Sequence, residues 1–221
     1  MVILVLVRMR RGVIKLGNIL TAIVTIKGVR PLLWHHFGPD ALPLEKQEKT
    51  GVAGHDPEEW RKTVLKTKDN QLYVDSSYIF ACIRDGSKYT KKGRGSIQSS
   101  VSATLQVLTD RVLIDRYLPD NITELVNETE EPVYLDVRSV KNPTTKGRNV
   151  RYRVATSQGW KATFEIIWDK TIVSRNEIHS SIIDAGKLSG IGDGRNIGFG
   201  RFVIDEIEVR DEKVNAEKTT T

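Results

Sequence analysis

The amino-acid sequence predicts an α+β fold in which strands outnumber helices. Two segments, 133–140 (VYLDVRSV) and 149–155 (NVRYRVA), alternate apolar and polar residues, which is typical of half-buried strands. Residues 174–177 (SRNE) fit a capping box ahead of an apolar helical face. The chain has 221 residues, which is long enough for one large domain with a substantial core.

The first half of the chain contains one clear strand and one clear helix. The run ILTAIVTIKG, which ends at Gly28, is rich in β-branched residues and predicts the first core strand. Segment 29–70 is interpreted as a long inserted loop with a short helix near Asp56, because a proline follows this aspartate. Asp75 can cap a helix over 76–84. The basic, glycine- and serine-rich stretch after that helix is expected to be mobile.

The second half of the chain is more regular. Its predicted elements are one or two strands over 101–118, a surface helix or loop over 120–132 and a β-hairpin over 133–155. A strand over 160–169 and the capped helix over 175–185 follow. Gly186 is expected to end the capped helix in a left-handed conformation. A final strand, FVIDEIEV, follows a glycine-rich loop.

This order of elements is interpreted as a ferredoxin-like (RRM-like) core with an inserted long loop region and a projecting basic β-hairpin. One domain is expected over 19–210, after an N-terminal extension (1–18) and before a disordered tail (211–221). The apolar run at 2–7 is too short to cross a bilayer. We therefore expect a cytoplasmic protein without membrane contact.

The composition favours a polyanionic partner. Lys and Arg number 34 against 28 Asp and Glu, which gives a net charge of +6 and a sequence pI near 9.4. The one cysteine, Cys82, excludes an intrachain disulfide and a cysteine-based zinc site. No metal and no cofactor are predicted.

The glycine-rich loop is the most informative segment. Five glycines fall within eleven residues, 190–200, and two arginines accompany them. Glycine permits unusual backbone conformations and lets a polyanion approach main-chain N–H groups. The loop follows a helix and precedes a strand, whereas nucleotide-cofactor loops follow a strand and precede a helix. Nucleic-acid binding is therefore favoured over cofactor binding. A plain flexible connector is the alternative. The candidate binding residues are Gly190, Gly192, Gly194, Arg195, Gly198, Gly200 and Arg201.

Three segments together resemble the RAMP superfamily, the RRM-like proteins of CRISPR effector complexes and guide processing. The loop G-x-G-x-G-x-x-x-G-x-G-R-F resembles the family's C-terminal glycine-rich loop. ILTAIVTIKGVRPLLWHHFG resembles its first strand and "TPLxxG" loop, and QLYVDSSYIFACIR resembles its "YIPGSSLKGxxR" segment, with Asp75 and Phe80-Ala81 as departures. The resemblance implies subunits that repeat along an RNA strand, with a hairpin acting as a thumb.

Two further clusters of basic residues are candidates for nucleic-acid contacts, because Lys and Arg neutralise phosphates. The hairpin cluster contains Arg138, Lys141, Lys146, Arg148, Arg151 and Arg153. The second cluster contains Arg84, Lys88, Lys91, Lys92 and Arg94. Strict alternation turns Tyr152 away from its neighbouring arginines and towards the core. Solvated strand or loop surfaces are the alternative interpretation of both clusters.

His35 and His36 are weak catalytic candidates. A histidine in this position could act as general acid or base in 2′-hydroxyl attack, since its pKa lies near neutrality. A structural role, a nucleic-acid contact, or a metal pair with His55 and Asp56 are the alternatives. His179 is expected to be partly buried on the capped helix.

We predict that the chain binds single-stranded RNA or DNA, with RNA preferred. It would do so as a RAMP-like subunit that forms a homo-oligomer along the strand, with other effector subunits as further partners. Trp34, Phe37 and Trp60 are expected to contribute to subunit contacts, and packing against their own domain is the alternative. The alternatives are a guide-processing, metal-independent endoribonuclease and a scaffold or inhibitor of the same fold. A non-enzymatic role is favoured.

Overall fold

The computed structural model describes residues 17–38, 56–141 and 146–211. The eleven strands are β1 (Ile19–Gly28), β2 (Leu32–Leu33), β3 (Gln71–Asp75), β4 (Lys91–Lys92), β5 (Gly95–Ser96), β6 (Gln106–Val107), β7 (Arg111–Tyr117), β8 (Val133–Lys141), β9 (Arg148–Thr156), β10 (Lys161–Asp169) and β11 (Phe202–Asp211). Within the same residues the four α-helices are α1 (Glu59–Thr63), α2 (Ser76–Ser87), α3 (Gln98–Thr104) and α4 (Arg175–Asp184). Residues 1–16 of the predicted N-terminal extension, residues 39–55 of the predicted insertion and residues 212–221 of the predicted tail lie outside the described residues.

The chain is a mixed α+β protein with mostly antiparallel sheets, as the sequence predicts. The main sheet has the strand order β11-β1-β10-β7-β3, and β6 pairs with β10. Alternate residues of β1, from Leu20 to Ile26, are fully buried beneath α2 and α4. Helix α4 begins at the capping box predicted from the sequence, in which Ser174 and Glu177 each accept from the other's backbone N–H. One face of the sheet therefore supports the helices.

The predicted hairpin is confirmed and forms a second sheet. β8 and β9 pair from Val133–Thr156 to Lys141–Arg148, and β2 adds to the free edge of β9. Because β2 follows β1 directly, this small sheet lies at the point where β1 leaves the main sheet. The hairpin is thereby connected to the loop after β1.

Two predictions of local structure were wrong. Residues 101–104 are helical, because Val101 and Leu105 are four residues apart and bury the same helical face. Gly186 does not end the capped helix; one π-helical turn continues to Gly190, which has φ +78°. A Cβ atom at Gly186 would lie 2.3 Å from the Phe202 carbonyl oxygen, so a close contact with β11 is what requires glycine there.

The aromatic residues of the insertion are mostly internal. Trp34 and Trp60 are buried in the core, and Trp34 Nε1 donates to the Tyr73 carbonyl oxygen at 2.7 Å. Phe37 is 64% exposed. The expectation that both tryptophans lie on a contact surface was wrong, because they pack against their own domain. His179 is exposed, contrary to expectation, since it lies on the outer side of α4.

Candidate nucleic-acid interface

The glycine-rich loop (190–201) has a defined conformation that depends on its glycines. All five adopt positive φ angles, between +66° at Gly200 and +96° at Gly198. L-amino acids with side chains rarely occupy this region. A Cβ atom at Gly200 would also lie 1.8 Å from the Ile191 carbonyl oxygen, whereas one at Gly198 meets open space. The loop is therefore a folded element rather than a plain linker.

The loop is docked on the segment that follows β1. Asp193 N donates to the Leu33 carbonyl oxygen at 2.9 Å, and Gly200 N donates to the Pro31 carbonyl oxygen at 2.8 Å. Ile191 N closes the loop on the Gly200 carbonyl oxygen at 3.0 Å. These N–H groups form hydrogen bonds within the protein. They are therefore not available to a polyanion, contrary to what the glycine content suggests. The tip of the loop presents Ile197, which is 62% exposed.

A buried charge network joins the β8–β9 hairpin to the loop. Arg153 is 3% exposed and lies between two carboxylates. It donates from Nη2 to Asp136 Oδ1 at 2.9 Å and from Nη1 to Asp193 Oδ2 at 2.8 Å. Arg138 also binds Asp136, and its guanidinium lies 4.7 Å from the Phe199 ring centroid. Arg153 is thus internal, and its charge is already compensated.

A second network joins the hairpin to α1 and to His35. Glu59 accepts hydrogen bonds from Arg151 and, at 3.2 Å, from Tyr152 N, and its Oε1 lies 3.0 Å from His35 Nε2. Burial raises the pKa of Glu59, but His35, the Tyr152 N–H and Arg151 outweigh it and lower the pKa below its ordinary value. Arg151 therefore holds α1 against β9.

His35 lines a cleft beside the glycine-rich loop, whereas His36 does not line it and contacts only one of its lining residues, Tyr78. The cleft has a volume of about 150 Å³ and is lined by His35, Tyr78, Ala81, Ile191, Gly192, Asp193 and Arg195. His36 Nδ1 lies 3.0 Å from the Tyr78 hydroxyl oxygen. Burial raises the pKa of Tyr78, with Asp75 and Asp193 adding to the effect, so its hydroxyl stays protonated near neutral pH.

The loop also contacts the end of α2, where the second basic cluster begins. Arg195 Nη1 lies 3.4 Å from Asp85 Oδ2, and Arg84 pairs with the same carboxylate at 2.9 Å. The following stretch, expected to be mobile, instead forms the short β4–β5 hairpin, with Gly93 at φ +59° in its turn. Its basic side chains are exposed: Lys88, Lys91, Lys92 and Arg94. Of these, Lys92 pairs with Glu177 at 3.2 Å.

The remaining predicted residues divide into exposed and internal ones. Lys141, Lys146 and Arg148 are exposed near the hairpin tip, and residues 142–145 lie outside the described residues. Arg201 Nη2 donates to the Arg195 carbonyl oxygen at 3.2 Å, so it supports the loop from within. Tyr152 packs partly against the core. The glycine-rich loop thus contacts the base of the β8–β9 hairpin and the end of α2, which are the segments that adjoin the two other basic clusters.

Sequence reasoning missed the acidic residues of this region. Asp136 and Asp193 hold the hairpin to the loop, and Glu59 holds α1 to the hairpin. The alternation of apolar and polar residues in the two hairpin strands could have predicted the role of Asp136. The hairpin register pairs Asp136 directly with Arg153, an acid and a base on one inward face. Asp193 is the one acid in the glycine-rich loop, which is also visible in the sequence.

The described ranges contain neither a metal-binding cluster nor a helix that could span a membrane. In residues 17–38, 56–141 and 146–211, no three His, Cys, Asp or Glu side chains are grouped so that they could hold a metal ion. None of the described helices is long and apolar enough to cross a membrane.

Comparison with known proteins gives likenesses to solved structures only. No family model matches this chain, and no curated protein does. The chain is similar to one chain of a solved structure described as the cryo-EM structure of the Type III-B Cmr-beta bound to cognate target RNA. The identity is 14%, the TM-score is 0.44, and the match covers 87% of this chain and 61% of that chain. This chain thus spans less than two thirds of that one, and a likeness of this size carries no functional argument.

Proposed function

We propose that the chain is a RAMP-like, RNA-binding subunit without catalytic activity, and that its glycine-rich loop organises the binding surface. One observation carries this proposal. The hairpin contacts the loop through the Arg153–Asp193 pair, and α2 contacts it through the Asp85–Arg195 pair. Both basic segments predicted from the sequence therefore adjoin the one loop that resembles the family's.

The arrangement of the main sheet supports a ferredoxin-like core. β1, β7, β10 and β11 pair in the order β11-β1-β10-β7, α2 precedes β7 and α4 precedes β11. This is the βαββαβ arrangement of ferredoxin-like domains. The β8–β9 hairpin then projects from the connection between β7 and β10, where a thumb-like element could lie along a strand.

The proposed surface divides its predicted residues between two roles. Cations with exposed side chains contact phosphates: Lys88, Lys91, Lys92, Arg94, Lys141, Lys146 and Arg148. Arg84 and Arg138 are half-buried beside this surface and already pair with Asp85 and Asp136. The residues that shape the loop or pair within the protein hold this surface in place: Gly190, Gly192, Gly194, Gly198, Gly200, Arg151, Arg153, Arg195 and Arg201. Because most contacts are to phosphate, binding is largely tolerant of sequence and weakens as salt rises.

Fluorescence anisotropy with labelled single strands tests the binding. A 20-nucleotide oligouridine RNA should bind more tightly than the matching oligothymidine DNA. The slope of log K against log salt should be about −0.7 per phosphate contact. A salt-independent affinity contradicts phosphate binding, and absence of binding to either strand favours a scaffold or inhibitor.

Assembly along the strand is a separate part of the proposal. Phe37, exposed at the described edge of the insertion, and the projecting hairpin are the surfaces offered for contact between copies. Light scattering with RNA of two lengths should give a mass that rises in proportion to RNA length. A one-to-one complex at both lengths would mean a solitary binding module.

The position of His35 keeps a guide-processing endoribonuclease as a second candidate. His35 lines the cleft beside the loop, so its imidazole lies next to the proposed binding surface. Incubation of the protein with RNA in the presence of a chelator separates the candidates. Intact RNA supports the binding subunit, whereas cleavage that His35→Ala abolishes supports the nuclease.

A further inference from the structure

The cleft beside the glycine-rich loop has the chemistry of a nucleobase site rather than a phosphate site. A cavity of about 150 Å³ in another protein takes up a benzene molecule, and this cleft has about the same volume. Its walls include the rings of His35 and Tyr78 and the apolar side chains of Ala81 and Ile191. Such flat and apolar walls suit the face of a base.

The polar groups of the cleft argue against phosphate. Asp193 has 41% of its side chain exposed, and an ionised carboxylate repels a phosphate group. Burial raises the pKa of Asp193, but the hydrogen bonds from Arg153 and the Gly194 N–H and the charge of Arg153 lower it overall. The carboxylate therefore stays charged at neutral pH and can accept hydrogen bonds from N–H groups of a base.

Arg195 supplies the complementary donors. Its side chain is 41% exposed, and its contact with Asp85 is long at 3.4 Å. A guanidinium can therefore turn towards a ligand in the cleft at little cost. Guanine presents two adjacent N–H donors, at N1 and N2, that match a carboxylate, and it presents O6 and N7 acceptors that match an arginine. Uracil offers one N–H donor to the same carboxylate, so it fits less well.

We propose that this cleft binds one guanine base splayed out of a single-stranded RNA, with Asp193 and Arg195 reading its edges. The inference rests on the proposed function, because the base reaches the cleft as part of a strand held by the basic surface. It adds a preference at one position to binding that is otherwise tolerant of sequence.

The test compares a 12-nucleotide oligouridine with the same RNA carrying one central guanosine, by fluorescence anisotropy at constant salt. The guanosine should strengthen binding about tenfold, which is the discrimination of one well-formed bidentate base contact. Adenosine or cytidine at that position should give a smaller gain. Equal affinities for all four RNAs, or an equal gain with adenosine or cytidine, overturn the guanine site.

Two variants connect the preference to the cleft. Asp193→Asn removes the charged acceptor, and Ala81→Leu fills the cleft from α2. Each variant should reduce the ratio of the affinities for the guanosine and uridine RNAs to about one, because the bidentate contact is lost. Ala103→Leu, an exposed position on α3, is the matched control and should keep the ratio. If circular dichroism shows that one variant is unfolded, the other decides.

The outcomes separate this inference from the proposed function. Binding to oligouridine without a guanosine preference overturns the base site and leaves the proposed function standing. Failure to bind any of the RNAs overturns both. A preference that survives in a folded Asp193→Asn or Ala81→Leu protein also overturns the assignment to this cleft.

Discussion

The base of the β8–β9 hairpin and the β4–β5 hairpin look alike in sequence but use their charges differently. At the base of the first hairpin, Arg151 and Arg153 pair with carboxylates of α1, β8 and the glycine-rich loop. In the second, Lys91 and Arg94 are exposed, and within the described residues no carboxylate lies at ion-pair distance from either. Clustered basic residues therefore perform two tasks here: one group builds the surface, and the other can neutralise a ligand.

The largest effect is expected from Arg153→Met. The substitution removes one of the two arginines that bind the fully buried Asp136, which keeps Arg138, and it removes the arginine that binds Asp193. Removing one partner of a buried ion pair costs up to about 3–5 kcal/mol, and urea denaturation followed by circular dichroism should show that loss. Arg148→Met, at an exposed position of the same strand, should change the free energy of unfolding by less than about 0.5 kcal/mol. Equal stabilities of the two variants would mean that the buried network is not structural.

A second prediction concerns two glycines of the loop. Gly200→Ala adds a methyl group where the Ile191 carbonyl oxygen leaves no space. The methyl group of Gly198→Ala contacts no neighbouring atom. Both adopt positive φ, so Gly198→Ala should cost about 1 kcal/mol of backbone strain. Gly200→Ala should cost about 1–3 kcal/mol more through overpacking. Thermal unfolding of both variants measures the difference, and the reverse order would contradict the packing described for the loop.

The third prediction tests the exposed cluster. Replacing Lys88, Lys91 and Arg94 with alanine should weaken RNA binding about tenfold and make the salt slope shallower by about 2, since each phosphate contact contributes about 0.7. The free energy of unfolding should stay unchanged. The matched control replaces three exposed lysines away from the loop: Lys27, Lys62 and Lys68. If both triple variants lose affinity equally, net charge rather than this surface determines binding.

The smallest effect is a pH dependence of stability at Glu59. Because folding lowers the pKa of Glu59, its charged form stabilises the protein above the ordinary glutamate pKa of 4.5, and this contribution is lost as the pH falls through the folded-state pKa. Glu59→Gln should therefore be less stable than the native protein at pH 7, by about 1 kcal/mol for a charge-assisted hydrogen bond. Urea midpoints should converge below pH 4.5. A gap that persists unchanged at low pH would exclude Glu59 as the titrating group.

The local pattern of the chain was sufficient for most elements. The alternation at 133–140 and 149–155 predicted β8 and β9, and the capping box predicted the start of α4. These signals depend on residues within a few positions of each other, so they survive without knowledge of the fold. The helix at 101–104 was missed because one valine in a polar stretch fits both the helical and the strand periodicity.

The sequence by itself determined the α+β class, the hairpin, the capped helix and the position of the glycine-rich loop. Only the tertiary structure decided which charges remain available and which residues meet at the cleft. Arg151 pairs with Glu59 across 92 residues, and Arg153 pairs with Asp193 across 40 residues. Contacts at such separations arise from the packing of whole elements, and burial then converts a basic residue from a phosphate ligand into an internal cation.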